Sequence, residues 1–344
     1  MKLIDTDNLW QAQNLPDGLF LKDGVILGNP KSRGTFDVPV TVSNSLGNST
    51  KTIRIKCRYT DDVNIIQGGE ELEIIRIPKL QASIQNGTAQ SKYNCSNTQM
   101  LIPFTHPLTG EVFDIALNFC SFRNATLQDG TVKAGLILQF ANPLWIGAVP
   151  FTTNNFNRWK YSQLRKWLNS RGDNWFTSSY NADVLSGSAL YAQNGVKGFL
   201  SCLPDALYRA LQPVKIVTQA FFDDFNEDTA IDDPDYIDGY DADITFDKIF
   251  LPSMSEMNAI SSGNDDNFPT SSLEGTAWEF FSQPRSDTFN DWEGNTCSLI
   301  SRSAYLDGTT DIIYVNSSRQ AVTGNTALSN SAPAPAFFLL GGED

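Results

Sequence analysis

Histidine is nearly missing from this chain. His106 is the one example, which removes most His-based metal centres and catalytic triads at once. Cysteine is sparse and scattered: Cys57, Cys95, Cys120, Cys202 and Cys297 are an odd count with no metal-ligand spacing, and read as buried apolar residues of a protein assembled in reducing cytoplasm. No metal site is expected from these residues. Charged side chains make up 19% of the sequence, below the usual quarter, and the balance is acidic, at −14. A nucleic-acid partner is not expected with that sign, and an anionic membrane surface is disfavoured. No apolar run reaches membrane-spanning length, so no membrane insertion is expected. The opening MKLIDTDNLW has no basic stretch leading into an apolar one, so no secretory signal is expected there.

What is present suits a different kind of molecule. The 344 residues are 41% apolar, enough for a sizeable core in one large domain or two to three smaller ones. The polar remainder is rich in Asn, Ser and Thr, as in a β-rich, loop-heavy extracellular or virion protein. The chain is organised around Trp159–Arg171, WKYSQLRKWLNSR. Ser162 can cap a short helix, Leu164, Trp167 and Leu168 fall on one face, and Asn169 with Gly172 supplies a stop. So short a helix with so much aromatic surface has to be pressed onto a sheet.

Residues 1–13 read as a polar leader or an atypical early strand. Short alternating strands follow at Leu19–Leu21, Val25–Leu27, Thr35–Val42 and Thr50–Ile55, separated by Pro-Asp-Gly, Lys-Asp-Gly, Gly-Asn-Pro and Leu-Gly-Asn turns. In order and spacing, Leu15–Leu19, Gly24–Pro30, Gly34–Phe36 and Asn44–Gly47 resemble the immunoglobulin-like modules common in bacterial and phage surface proteins. A full sandwich needs about seven strands over about a hundred residues. Residues 1–57 are therefore expected as an incomplete Ig-like β-sandwich module, completed either by an atypical early strand in residues 1–13 or by a partner chain. Residues 58–80 read as a connector.

Beyond it, Gln99–Phe104, Val112–Cys120 and Val132–Phe140 have period two, with turns at His106–Gly110 and Leu127–Gly130. Gly198–Leu211 is a second helical segment, with Pro204 near its start, and Asp223–Asp243 is an acidic insertion. The stretch from Thr88 to Gln139 is similar to the opening of a domain recurrent in virion proteins of gut bacteriophages. Ser162–Asn169, Asp247–Ser253 and Ser298–Leu340 resemble a family of uncharacterised domains with the C-type-lectin-like fold of the formylglycine-generating-enzyme type. The fold this implies is a β-rich α+β chain, in which an Ig-like module precedes a C-type-lectin-like α+β domain over residues 81–344. The enzymes of that type oxidise a cysteine with a cysteine pair in their C-terminal part. Cys297 stands alone there, so the resemblance implies fold and not activity.

The expected function is therefore non-enzymatic: a virion protein, assembled in the host cytoplasm, that adheres to a host-cell surface glycan or protein. Other virion proteins and further copies of the chain are expected to meet its N-terminal module. The recognition face implied by the resemblance is the loop set of Trp292–Asn330, a stretch that a retroelement diversifies in some relatives. Trp292, Tyr305 and Arg319 would anchor a ligand, with Asp307, Thr309, Asp311, Asn316, Ser317, Ser318 and Asn330 as adaptable polar contacts. In Ile312–Val315, alternation sends two side chains inward and two outward. No cofactor is expected, with Ca²⁺ on the acidic insertion left open. A structural head or tail decoration protein is the rival reading. A carbohydrate-active enzyme is the third, but its paired carboxylates are a matter of distance that residue order does not favour. Arg171-Gly172-Asp173 matches an integrin-binding tripeptide and reads as the end of the preceding helix.

Overall fold

The computed structural model describes residues 8–144, 157–173, 175, 195–219, 242–261, 268–269, 271–283, 289–290, 294, 296–306, 311–325 and 331–343. The chain divides into two compact units, Met1–Asp62 and Val63–Asp344.

In the first unit the alternating runs become β1 (Leu9–Ala12), β2 (Leu19–Lys22), β3 (Val25–Gly28), β4 (Gly34–Asn44) and β5 (Gly47–Cys57). β2 and β3 form a hairpin, and the other three form an antiparallel sheet in the order β1-β4-β5. The leader thus supplies an early strand from Leu9 onward. Period two gives the β4–β5 pair one apolar face, with Val38 opposite Ile53 and Phe36 opposite Ile55. On the other face Asp37 accepts from Arg54, and Thr41 meets Thr50 at 2.7 Å. At the tip, Asn44 Oδ1 accepts the Leu46 N–H at 2.9 Å, and Gly47 takes a φ of 137° that a side chain would resist. Among the described residues β5 pairs only with β4.

The second unit starts earlier than the sequence suggests. β6 (Asp62–Gln67) and β7 (Glu70–Arg76) turn through Gly68-Gly69, and α1 (Ile77–Gln85) starts at once, with Pro78 in its first turn. Residues 58–80 are therefore not a connector: Val63 and Ile65 are buried, as a half-buried strand requires. There follow α2 (Thr88–Lys92), β8 (Thr98–Thr105), β9 (Val112–Thr126), β10 (Val132–Phe140), a 3-10 turn Trp159–Tyr161, α3 (Gln163–Leu168) and a 3-10 turn Phe199–Cys202. Then come α4 (Asp205–Ala210), β11 (Val214–Gln219), β12 (Ala242–Asp247), β13 (Ile260–Ser261), α5 (Ser271–Glu274) and α6 (Glu279–Ser282). The C-terminal part supplies β14 (Ser298–Ala304), β15 (Asp311–Val315), β16 (Gln320–Asn325), β17 (Ser331–Pro333) and β18 (Ala336–Leu340).

Six strands form one sheet in the order β18-β10-β9-β8-β6-β7, so the wholly buried last strand closes the sheet that the first strands of the unit open. A five-stranded sheet has the order β13-β16-β15-β14-β17, and β11 pairs with β12. On β8, Met100, Ile102 and Phe104 alternate with Gln99, Leu101 and Pro103, so apolar side chains define one face of the larger sheet. The organising helix is built as its sequence demands. Ser162 Oγ accepts the Arg165 N–H at 3.0 Å, and Leu164, Trp167 and Leu168 are fully buried. It reaches the sheet through an intermediary. Trp167 packs edge-on against Phe199 at 5.4 Å, and Phe199 lies against Phe104 of β8 and Phe140 of β10.

Candidate functional site

The sequence motifs that look most diagnostic turn out to hold the fold. Asp247 is buried, and its Oδ2 accepts from Trp159 Nε1 at 3.0 Å and from the Thr245 hydroxyl at 2.7 Å, while Oδ1 takes Arg165 Nε at 2.7 Å. Asn169, at the end of α3, donates to the carbonyls of Arg165 and Ile249 and accepts the N–H groups of Lys248 and Ile249. The helix and the Asp247–Ser253 run therefore grip each other. The same run ends in a reciprocal cap, with the Ser253 N–H on the Glu256 carboxylate and the Glu256 N–H on Ser253 Oγ.

A second polar cluster surrounds buried Arg302. Its guanidinium donates to the carbonyls of Leu251 and Glu274, and it pairs with Glu256. The Glu274 carboxylate accepts the Gln219 N–H at 2.9 Å and the Ser303 hydroxyl. One guanidinium faces two carboxylates, and burial pushes Glu274 up to about 7, against the pull of Arg302. The group is sealed from solvent and cannot meet a substrate.

The expected anchors lie in different surroundings. Tyr305 is not an open anchor: its ring packs edge-on against Phe268 at 5.5 Å, because β14 ends at Ala304 and turns it toward Met254 and Ile313. Asp311 is the first residue of β15. Its carbonyl and that of Tyr305 are both held by the buried Asn157 side chain, at 2.8 and 2.9 Å. Asn316 Oδ1 accepts from Ser318 and Gln320, which makes Asn316, Ser317 and Ser318 the turn between β15 and β16. The expected alternation in β15 also fails, since Ile312, Ile313 and Val315 are all buried in a strand covered on both faces. Trp292, Asp307, Thr309 and Asn330 lie outside the described residues, as does the acidic insertion apart from Ala242 and Asp243. Asp243 is no loop ligand, since it stands in β12 and pairs with Arg158. Arg171 lies over the Tyr208 ring and meets Asp205.

Of the two expected anchors among the described residues, Arg319 lines a cavity. Its φ is 57°, and its Nη1 donates to the carbonyls of Phe281 at 2.7 Å and Gln283 at 3.1 Å. The cavity measures about 260 Å³, and sequence reasoning missed the residues at its base. Gln99 of β8 is in register with Asn118 of β9, and Asn118 with Gln139 of β10, so three amides form one row across three strands. They share the face away from Met100 and Leu117. Gln99 Nε2 donates to Asn118 Oδ1 at 2.9 Å, and Gln139 Nε2 to the Ala334 carbonyl at 3.2 Å. Phe280, Phe281, Phe289 and Leu299 supply apolar walls. The available signal was an amide inside each apolar strand, in TQMLIPF, ALNFC and LILQF.

Among the described residues no group of three or more His, Cys, Asp and Glu could hold a metal ion, and no helix is long and apolar enough to cross a membrane. All five cysteines are buried thiols, and burial pushes Cys202 up to about 12. His106 closes the turn at 106–110, its Nδ1 accepting the N–H groups of Leu108 and Thr109.

Sheet order and site together define a strand-rich chain of two units, with an Ig-like module ahead of a larger mixed one. Residues 6–60 match the family described as "Putative Ig domain". Residues 149–341 match the family described as "Domain of unknown function (DUF6273)", more than half of the chain, and the chain belongs to that family. No curated protein and no solved structure matches it.

Proposed function

We propose that this chain is a non-enzymatic recognition protein of a phage or prophage virion. Its second unit would attach to a host-cell surface molecule, and its Ig-like module would hold it to other virion proteins or further copies. The observation that carries the reading is the cavity over the amide row. It is preformed, with neutral hydrogen-bonding groups at its base and aromatic walls, and no acid, histidine or cysteine is among its described lining residues. Such a lining suits binding and offers no nucleophile or general base. The low charge content and the Asn, Ser and Thr-rich composition support a particle-surface setting. The same reading places the second unit in the C-type-lectin-like class that its Ser162–Asn169 and Asp247–Ser253 motifs resemble. Among the described residues β1 and β5 each pair on one side only, and such edges support assembly through the first unit, because unpaired strand edges recruit a neighbouring chain.

Labelled full-length protein incubated with a panel of intact gut bacteria tests this. Saturable binding to at least one strain, lost when the cell surface is treated with periodate or protease, is expected. No saturable binding to any strain, from protein that is built stoichiometrically into particles, would overturn it in favour of a decoration protein.

A further inference from the structure

We infer that the cavity over Gln99, Asn118 and Gln139 is a subsite for one neutral sugar ring. This deepens the recognition reading and rests on it only for where that sugar is found.

Amides in the middle of a sheet are an uncommon choice, because a buried polar group needs a partner. Gln139 has its partners: Nε2 donates to Ala334, and Oε1 accepts the Cys120 thiol at 3.8 Å. The other two are left half-satisfied. Gln99 Nε2 is engaged with Asn118 Oδ1, which leaves Gln99 Oε1 and Asn118 Nδ2 with no partner among the described residues. Asn118 is only 7% exposed and is among the residues that line the half-open cavity.

The chemistry of what remains selects the ligand. The cavity base offers one amide donor and one amide acceptor, both uncharged. An ionised carboxylate, which only accepts, would face Gln99 Oε1 unfavourably. A cation would face the Asn118 amide group in the same way, with no carboxylate among the described lining residues to compensate. A hydroxyl both donates and accepts, and two neighbouring hydroxyls match the pair. Arg319 is the one charged residue of the described lining, and its Nη1 is held by the Phe281 and Gln283 carbonyls. Phe289, half-buried in the lining, provides an apolar wall on which the C–H face of a sugar ring can lie. A volume of about 260 Å³ is just below the range for drug-sized ligands, which fits a single ring.

Calorimetry or ligand-observed NMR on the full chain tests this with neutral methyl glycosides, using sialic acid and inorganic phosphate as charged probes. At least one neutral glycoside should bind saturably and the charged probes should not. Asn118→Leu and Gln99→Met, each with wild-type circular dichroism, should weaken that binding tenfold or more. Because Gln99 is only half-buried, its variant keeps the test alive if Asn118→Leu fails to fold. The inference is overturned if no neutral glycoside binds at about 10 mM, if the charged probes bind as well as the neutral ones, or if the variants bind like wild type. Cell binding that persists undiminished in both variants would overturn the subsite while leaving the recognition reading in place. Glycoside binding without cell binding would do the reverse.

Discussion

Two buried polar clusters of the second unit are made of similar side chains and end in opposite states. Around Asp247 and Asn169 both carboxylate oxygens are taken, and the asparagine amide makes four hydrogen bonds to two separate segments. Around Asn118 a donor and an acceptor stay idle beside an open cavity. A filled cluster fixes the position of a helix, and its value is in the fold. An unfilled one adds little to the fold and leaves its hydrogen-bonding groups open to water or, as proposed, to a ligand.

The filled cluster should give the largest effect. Asp247→Ala leaves Arg165 and Trp159 without their acceptor inside the protein, and breaking a buried pair from one side costs about 3–5 kcal/mol. Denaturant unfolding of the second unit should move by that amount. A change below about 1 kcal/mol would reduce the cluster to a surface-like ion pair and remove the contrast with the amide row.

The Arg302 cluster stands between the two: Nη1 and Nη2 are engaged, Nε has no partner among the described residues, and the charges are unbalanced. Glu274 has its carboxyl raised from 4.5 to about 7 by burial. Below about pH 4.5 both the folded and unfolded chains hold this proton. Between about 4.5 and 7 only the folded chain does, so stability falls as pH rises, by about 3 kcal/mol in all, and then stays level. Glu274→Gln removes that dependence. The stability difference between variant and wild type should therefore shift toward the variant from pH 4.5 to 8. Parallel pH curves would show that Glu274 titrates normally.

These clusters also show what a sequence can disclose. The α3 cap, its apolar stripe and the hairpin tips are local, set by residues three or four apart, and the chain reads as it folds. The extents of β8 and β10 were legible from period two, β10 running over the expected Val132–Phe140, whereas β9 continues past the expected Cys120 to Thr126. Their register was not. Gln99, Asn118 and Gln139 lie far apart in the chain and meet only because two hairpins align them. The supposed connector failed for a similar reason: the polar residues of β6 and β7 conceal strands that fill the edge of a sheet whose other strands come later. Tyr305 and Arg319 look like surface anchors in a polar loop, yet one is turned inward by a small apolar cluster and the other is tied down by two backbone carbonyls.

A smaller effect belongs to the sole histidine. His106 Nδ1 accepts two backbone N–H groups, and partial burial lowers its pKa. Its stabilisation is present above about pH 6.5 and is lost as pH falls through the lowered value, when the accepting nitrogen gains a proton. His106→Ala should cost about 1 kcal/mol at pH 8 and progressively less in acid. A difference that grows on acidification would assign the histidine a different role.

The smallest effect on stability is expected at Asn118, where the contrast is sharpest. The same substitution can be made in both clusters. Asn169→Leu orphans the N–H groups of Lys248 and Ile249 and the Ile249 carbonyl together, at about 1–3 kcal/mol for each buried group. Asn118→Leu removes an idle donor, and the one bond it breaks is from Gln99, which is half-buried beside the cavity and can turn into it. Leucine also adds apolar surface against neighbours that already include Phe280 and Leu299. The net change should therefore lie within about 1 kcal/mol of zero, of either sign. Melting curves of the two variants side by side decide the matter. If Asn118→Leu unfolds as readily as Asn169→Leu, the amide row is a structural cluster like the first, and the difference between them disappears.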